Sequence, residues 1–294
     1  MGEFDRRALE RRFDALVAEN RFTIAVVFPA VGAVMLVASA EGWLPGPLAF
    51  NPALVLFGTA VMRLPLIAGV APLVDRRAAF AIVGLTLYTY GIEFLGVLTG
   101  LPYGDFEYVI DLGPMVLDTV PAALPIFFFP LVLNAYLLCL LLLGDRAVLT
   151  RVRLPAVIAT VLAMDLVLDP GAVALGFWEY APPLGGNGPW ASATAIQFYG
   201  VPLSNYLGWV LSATVAVLAL DLGFNRAGLL GRLERTGFML DDLVSFVILW
   251  GAINAWFGNW LAVGVAGLFG AGLLGTDRFD FSVRETVPLA DAWR

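Results

Sequence analysis

The chain is a series of long apolar segments, and this pattern restricts the possible folds more than any other feature of the sequence. An α-helix needs about 20 apolar residues to cross the ~30 Å hydrocarbon core of a bilayer. Hydrophobic residues occupy 60% of the 294 positions and charged residues only 14%, which lies outside the range of soluble domains. The sequence therefore predicts an all-α fold, a polytopic integral membrane helical bundle.

Loops rich in Gly, Pro or charged residues separate the apolar segments. The predicted spans cover about residues 22–42, 53–74, 78–99, part of 115–143, 154–176 and 199–221. The last apolar stretch, residues 240–275, is too long for one crossing and is interrupted at Asn254, Gly258 and Asn259. We expect two short helices there, which gives eight spans.

The positions of the arginines predict the orientation. Apart from Arg63, every Arg lies near the N-terminus, in an even-numbered connection or in the C-terminal tail. Because Arg is enriched in cytoplasmic loops, we expect a multi-pass protein of the cell membrane with both termini in the cytoplasm. Residues 1–21 carry five Arg and one apolar face, which predicts an amphipathic cytoplasmic surface helix. The transmembrane domain (22–275) and a cytoplasmic tail (276–294) follow.

The basic residues exclude several classes of protein. All 17 are Arg, so no Lys is present to form the Schiff base of a retinal protein. His is also absent and Cys139 is the one cysteine, so haem, di-iron and zinc sites lose their main ligands. We therefore expect no metal and no other cofactor. The net charge of −7 gives no reason to expect a nucleic-acid partner, and the acidic composition without Lys is compatible with a halophilic source.

Two carboxylates, Asp165 and Asp169, lie four residues apart in the fifth predicted span and so share one helical face. Ionisable groups at bilayer depth are costly and usually functional. At ~1.5 Å per residue from the cytoplasmic end, Glu93, Asp169 and Asn254 each lie about 22 Å deep. Asn205 reaches a similar level from the other side, and Asp165 lies one turn deeper. The sequence therefore predicts a polar site in the outer half of the membrane.

Structural roles are the alternatives for these residues. Asn205 could belong to a packing seam of small residues, and one acid could cap a helix broken at Pro170. Arg63 could neutralise Asp165 or Asp169, or extend its side chain to the membrane surface. Asp118 could join the site if the fourth span begins early. Capping and the helix dipole are sufficient to explain Asp241 and its neighbour Asp242 at the start of a helix.

Acids gathered in a medium of low dielectric constant cannot all ionise, so at least one is expected to keep its proton and to serve as a general acid. Protonation of a carbon–carbon double bond produces a tertiary carbocation, which electron-rich aromatic rings stabilise. Aromatic residues near the outer ends of the fifth and sixth spans could form such a wall: Trp178, Tyr180, Trp190, Tyr199 and Trp209.

Paired acids have two other uses. They can bind magnesium for prenyl transfer, but that chemistry needs a second acidic motif and basic residues for diphosphate, and neither lies near this pair. Buried carboxylates also relay protons, so a proton-coupled membrane transporter is the main alternative.

Three motifs follow one another in the chain. They are Glu93 with Gly100-Leu-Pro-Tyr-Gly104 and Tyr108, then Asp165-x3-Asp169-Pro170 with Trp178, and then Gly200-Val-Pro-x-x-Asn205-Tyr-x-Gly208-Trp209. In order and spacing, over roughly residues 55–260, the chain resembles the carotenoid hydratases of the bacterioruberin and related acyclic-carotenoid pathways.

The resemblance implies a cofactor-independent hydro-lyase that adds water across the terminal double bonds of a long acyclic carotenoid, as in the conversion of bisanhydrobacterioruberin to bacterioruberin. The partners it implies are membrane lipid, the carotenoid substrate and other membrane enzymes of carotenoid biosynthesis. A non-catalytic carotenoid-binding or lipid-binding membrane protein stays open as an alternative, together with the transporter.

The residues and the resemblance together define a candidate site. Its expected catalytic residues are Asp169, Asp165 and Glu93, with Asp169 the first choice for direct chemistry and Asp165 the residue that tunes its proton affinity. The residues expected to bind substrate or water are Asn205, Trp209, Trp178, Tyr103, Tyr108 and Asn254.

Overall fold

The computed structural model describes residues 6–181, 189–276 and 278, and most of them are helical. The α-helices are α1 (Arg6–Glu19), α2 (Phe28–Ala40), α3 (Pro52–Val70), α4 (Arg76–Thr99), α5 (Leu124–Leu143), α6 (Thr150–Leu175), α7 (Pro189–Ala195), α8 (Leu203–Gly223), α9 (Arg226–Arg235), α10 (Asp241–Trp256) and α11 (Trp260–Gly275). A π-helical turn (Thr23–Val27) precedes α2, and 3₁₀ turns follow α3 (Ala71–Leu73) and α5 (Gly144–Val148).

Six helical segments in the described part of the chain are long and apolar enough to cross a membrane. They are Thr23–Ala40, Pro52–Leu73, Arg76–Thr99, Leu124–Val148, Thr150–Leu175 and Leu203–Gly223. The prediction of two short helices in 240–275 is confirmed, because α10 and α11 have 16 residues each. A helix of that length measures ~24 Å, less than the ~30 Å core. The predicted count of eight spans is therefore not confirmed by helix length.

The N-terminal helix α1 is held against the rest of the bundle. Val17 is buried, and Arg232 of α9 donates to Asp14 at 2.6 Å. Leu9 and Leu16 are exposed. Whether this helix lies on a membrane surface stays a prediction. Residues 1–5 of the predicted surface helix, and all of the predicted tail except 276 and 278, lie outside the described residues.

Three two-stranded antiparallel sheets lie in the connections at one end of the bundle, which we call the hairpin end. Strand β1 (Phe106–Tyr108) pairs with β4 (Trp178–Tyr180), β2 (Met115–Val116) with β3 (Val120–Pro121), and β5 (Gln197–Phe198) with β6 (Val201–Pro202). An all-α prediction missed these strands. Because β2 and β3 occupy part of the predicted fourth span, the helix begins only at Leu124, and Asp118 lies in a tight turn with a φ of 53°. Asp118 therefore does not join a site within the bundle.

The centre of the bundle is formed by α5 and α6. Residues 131–140 of α5 are all buried, and α6 packs against α5, α8, α10 and α11. Proline lacks a backbone N–H and so interrupts helical hydrogen bonding, yet α6 continues through Pro170 to Leu175. Two amides from α10 and the following turn support this stretch, because Asn254 donates to the Val167 carbonyl at 2.7 Å and Asn259 to the Pro170 carbonyl at 3.3 Å. The alternative in which an acid caps a broken helix at Pro170 is wrong.

A buried ion pair links α3 to the start of α10. Arg63 Nη1 lies 2.5 Å from Asp242 Oδ1, Asn134 of α5 donates to the same carboxylate, and Arg63 Nε donates to the Ile126 carbonyl at 3.3 Å. That carbonyl lies four residues before Pro130, where a helical N–H donor is missing. Both alternatives for Arg63 were wrong, since its side chain is buried and its partner is neither Asp of α6. Helix capping alone was also an incomplete explanation for Asp242.

Candidate functional site

A cavity of about 130 Å³ lies near the hairpin end, between α4, α5, α6, α8 and the β1–β4 sheet. This volume is several times the ~10–15 Å³ that one water molecule needs. Half of the described lining residues are aromatic: Tyr103, Phe106, Tyr108, Phe127, Phe128, Phe177, Trp178, Tyr180, Trp209 and Trp250. Glu93 and Asp169 are the charged residues among the described lining residues, and Asn205 adds an amide. The structure thus brings together two carboxyl groups, one on α4 and one on α6, whose residues are 76 positions apart in the sequence.

Asn205 of α8 connects the two acids of α6. Its Nδ2 donates to Asp169 Oδ2 at 2.5 Å and to Asp165 Oδ2 at 3.1 Å, so these two carboxylate oxygens lie no further apart than the sum of both distances. All three residues are buried, as expected for acids four residues apart on one face of a central helix. Asp169 lines the cavity, whereas Asp165 does not and lies behind it. The sequence predicts that Asp165 lies one helical turn deeper than Asp169. In the structure, Asp169 is the one of these two acids that is accessible from the cavity.

The β1–β4 sheet supplies hydroxyl donors to the carboxyl groups. Tyr108 in β1 donates to Glu93 Oε1, and Tyr180 in β4 donates to Asp169 Oδ2 at 3.3 Å. Burial raises the pKa of both tyrosine hydroxyls well above the usual value. Both hydroxyls therefore keep their protons and remain donors across the neutral and mildly alkaline range. Each carboxyl group that opens into the cavity is thus hydrogen-bonded to a neutral donor.

The alternation of side chains along the strands explains how this sheet faces the cavity. In the observed register Phe106 pairs with Tyr180, Glu107 with Glu179, and Tyr108 with Trp178. Successive side chains of a strand point to opposite faces, so the aromatic residues line the cavity while the two glutamates are exposed.

Tyr103 reaches the cavity because two glycines leave room for its ring. A Cβ on Gly208 of α8 would lie 2.5 Å from the ring, and one on Gly96 of α4 would lie 3.1 Å from it. The Tyr103 hydroxyl is 2.7 Å from Ser212 Oγ. Trp209, one residue after Gly208, stacks on Phe128 with a centroid distance of 5.6 Å. Trp178, Trp209, Tyr103 and Tyr108 thus all line the cavity.

Asn254 has a different environment from the other predicted site residues. Its Nδ2 donates to the carbonyls of Val167 and Trp250, and its Oδ1 accepts from Asn259 at 2.9 Å. Asn254 does not line the cavity. The structure places it behind α6, where it supports the helix segment that carries Asp169, and its predicted contact with substrate or water stays a prediction.

Sequence reasoning assigned no hydrogen-bonding role to Tyr180 and did not identify Phe128 or Trp250 as wall residues. A signal for Tyr180 was present, because Phe106-Glu-Tyr108 and Trp178-Glu-Tyr180 share an aromatic–acid–aromatic alternation of period two, which is typical of paired strands. Phe128 and Trp250 lie in uniformly apolar helices and carry no such signal. Tyr199 lies outside the described cavity lining, and the side chain of Trp190 lies outside the described residues.

The chemistry available to this site is proton transfer in an apolar, aromatic surrounding. Among its described lining residues there is no Arg that could bind a diphosphate group. In the described parts of the chain, no three acidic or cysteine side chains converge in a way that could hold a metal ion. The site can therefore donate and accept protons at two separate carboxyl groups beside electron-rich rings.

The fold and the site define a helical protein with several candidate membrane spans and a cavity lined by aromatic rings and two carboxyl groups. The chain belongs to the family of carotenoid biosynthesis proteins, whose model matches residues 50–273. It is 64% identical over 283 residues to a protein of the halophilic archaeon Haloarcula japonica named bisanhydrobacterioruberin hydratase. That match covers 96% of this chain and 92% of the relative. No solved structure matches the chain.

Proposed function

We propose that this protein is a carotenoid hydratase, a hydro-lyase that adds water across the terminal double bonds of a long acyclic carotenoid without a cofactor. The conversion of bisanhydrobacterioruberin to bacterioruberin is the reaction that its similarity to the Haloarcula japonica protein supports. One observation carries the proposal: Glu93 and Asp169 open from different helices into one aromatic cavity whose other described lining residues are uncharged.

Glu93 is assigned as the general acid. It accepts a hydrogen bond from Tyr108 at Oε1, and no hydrogen bond to Oε2 occurs among the described residues, which leaves that oxygen to carry the transferable proton. Transfer of this proton to the less substituted carbon of the double bond moves the π electrons into the new C–H bond. The neighbouring carbon becomes a tertiary cation, and the carboxyl group becomes a carboxylate.

Asp169 is assigned as the general base. Its Oδ2 accepts hydrogen bonds from Asn205 and Tyr180, and such donors favour the charged form of a carboxyl group. In this role Asp169 takes one proton from a water molecule while the water oxygen bonds to the cation, so one water is added in total. Asp165 shares the Asn205 amide and influences Asp169 through it, without access to the cavity.

The aromatic wall has two tasks in this reaction. Trp178, Trp209 and Trp250 line the cavity, and a cation near an aromatic face is stabilised by ~0.5–2 kcal/mol. The apolar lining also limits the number of water molecules near the cation, which favours capture by the one water held at Asp169.

The first test is the pigment product. Cells that make the dehydrated acyclic carotenoid are expected to convert it to the tertiary alcohol when they express this chain, as measured by liquid chromatography with mass spectrometry. Glu93→Gln and Asp169→Asn variants at equal membrane abundance are expected to leave the pigment dehydrated. Unchanged pigment with the wild-type chain would contradict the proposed function and would favour a transporter or a binding protein.

Deuterium oxide distinguishes the acid from the base. With Asp169→Asn, Glu93 still protonates the alkene, and the cation reverts by losing a proton, so the recovered alkene should contain deuterium without forming alcohol. With Glu93→Gln, neither exchange nor alcohol is expected. The reverse pattern would exchange the two assignments.

We also propose that α10 and α11 cross the membrane, giving eight spans with both termini in the cytoplasm. Trp256 at the end of α10 donates to Glu41 after α2 at 2.9 Å, and the Leu261 amide donates to the Tyr199 hydroxyl at 3.4 Å. The α10–α11 turn therefore lies at the hairpin end. Trp260→Cys, at the exposed start of α11 beside this turn and in a Cys139→Ser background, should react with a membrane-impermeant maleimide in intact cells. Lack of labelling until lysis would contradict this topology.

A further inference from the structure

A groove of about 450 Å³ lies between α4 and α8, beyond the cavity in the direction away from the hairpin end. Its wall is apolar and includes Phe80 and Gly84 of α4 and Ala219 and Leu222 of α8. Phe80 and Leu222 are 66% and 74% exposed, so the groove is open on the outer surface of the bundle. Arg77 in the first turn of α4 is the charged residue among its described lining residues and lies at its far end.

The groove and the cavity are neighbours along the same pair of helices. Tyr103 lines the cavity and Tyr88 lines the groove, and both hydroxyls contact Ser212 Oγ of α8, at 2.7 and 3.1 Å. A hydrogen-bonded group of three hydroxyls therefore connects a residue of the cavity wall with a residue of the groove wall. Neutral side chains of this kind can exchange hydrogen-bond partners without leaving a buried charge unpaired, so separating them costs less than breaking an ion pair.

The size of the cavity requires a second space for the substrate of the proposed function. A volume of about 130 Å³ accommodates one end of a long acyclic polyene together with water, but not its whole length. The rest of such a molecule is apolar and has to lie against protein or lipid within the membrane. From Glu93 to Arg77 the helix α4 provides a path of ~24 Å at ~1.5 Å per residue.

We propose that the α4–α8 groove binds the length of the polyene while its reacting end occupies the cavity, and that the chain passes between α4 and α8 at the Tyr103–Ser212–Tyr88 hydroxyls. This inference rests on the proposed function for the identity of the ligand. The groove then selects substrates by length. A long polyene occupies both the cavity and the groove, whereas a short alkene with the same end group occupies only the cavity. Arg77 marks the end of the path at the membrane boundary, where its guanidinium remains solvated.

Gly84 allows a direct test. A Cβ at Gly84 or at Gly91 meets no atom within 4 Å, so both positions accept a larger side chain without distorting the fold. Both are exposed on α4, but Gly84 lines the groove, whereas Gly91 lines neither the groove nor the cavity. Gly84→Leu therefore obstructs the groove, and Gly91→Leu is its matched control.

Two measurements on purified protein in lipid nanodiscs test the groove. The first is the ratio of kcat/KM for the long polyene to that for a short acyclic alkene with the same end group. Gly84→Leu is expected to lower this ratio tenfold or more, in line with the ~10–200-fold effect of one misplaced methylene group in an apolar pocket. Gly91→Leu is expected to leave the ratio within about twofold of wild type.

The second measurement is the affinity for the polyene itself, from the quenching of tryptophan fluorescence, which does not depend on turnover. Weaker binding by Gly84→Leu than by Gly91→Leu supports the groove even if the wild-type protein forms no alcohol, a result that would contradict the proposed function alone. Equal binding and an unchanged substrate ratio in Gly84→Leu would overturn the groove. Loss of a bound phospholipid from Gly84→Leu, with polyene affinity unchanged, would also overturn it.

Discussion

The amide of Asn205 is the group whose removal should affect the proposed reaction most specifically. It bridges Asp165 and Asp169 through one nitrogen atom, and Asn205 is itself 3% exposed. Asn205→Leu keeps a similar shape and volume but removes both hydrogen bonds at once. The expected result is a protein that remains folded in the membrane and hydrates its substrate slowly.

The magnitude follows from the two bonds. A hydrogen bond to a charged group contributes ~1.5–3 kcal/mol, and ~1.4 kcal/mol corresponds to a factor of ten in rate. Loss of the 2.5 Å bond to Asp169 should therefore lower kcat by ~10- to 150-fold if Asp169 acts as a carboxylate. The bond to Asp165 is longer, at 3.1 Å, and affects the reaction only through Asp169.

The assay compares initial rates of alcohol formation in proteoliposomes, with membrane abundance and thermal unfolding measured on the same preparations. Tyr206→Phe is the matched control. The Tyr206 hydroxyl is buried beside the same acids but makes no hydrogen bond to any described residue, so its removal should change kcat less than twofold. If Asn205→Leu retained more than about a third of wild-type activity, or if Tyr206→Phe lost as much, the role given to the amide would be refuted.

Three further outcomes are expected. Arg63→Met leaves the Asp242 carboxylate buried without its ion-pair partner and should cost ~3–5 kcal/mol of stability in detergent unfolding, whereas adding Asp242→Leu should restore most of it. Gly208→Val places a side chain against the ring of Tyr103. This variant should lower the rate of hydration at least tenfold, while the protein still reaches the membrane. Because burial raises the pKa of Tyr108 and Tyr180, the folded state holds their protons more tightly than the unfolded state. Stability should therefore fall as the pH rises above ~10, and less steeply when both are Phe, as measured by the melting temperature against pH.

The periodicity of the sequence was sufficient to find the acids of the site. A spacing of four residues places Asp165 and Asp169 on one helical face, and counting residues from the end of each span brought Glu93 and Asn205 to a similar depth. Helix bounds and rise per residue determine depth along the membrane normal. They do not determine the rotation of a helix about its axis relative to its neighbours. That rotation decides which acid Arg63 contacts, and so its pairing with Asp242 was not predicted.

The hairpin end illustrates a second limit. The alternation in Phe106-Glu-Tyr108 and in Trp178-Glu-Tyr180 covers only three residues each, and the two segments lie about 70 residues apart, so the sequence does not show that they pair with each other. The donors to Glu93 and Asp169 come from this sheet. The acids could therefore be predicted, whereas the groups that hydrogen-bond to them required the tertiary structure.

The buried acids of this protein are stabilised in two different ways, and the difference matches their proposed roles. Outside the cavity region, Asp221, Asp241 and Asp242 each form an ion pair with a buried or half-buried Arg. Within the described residues Glu93 and Asp169 have no such partner and accept hydrogen bonds only from amide and hydroxyl groups. Protonation of an ion-paired acid leaves a buried guanidinium uncompensated and is therefore costly. A carboxyl group with neutral donors can lose and regain a proton without that cost, and a reaction that returns both acids to their initial states in every cycle depends on this property.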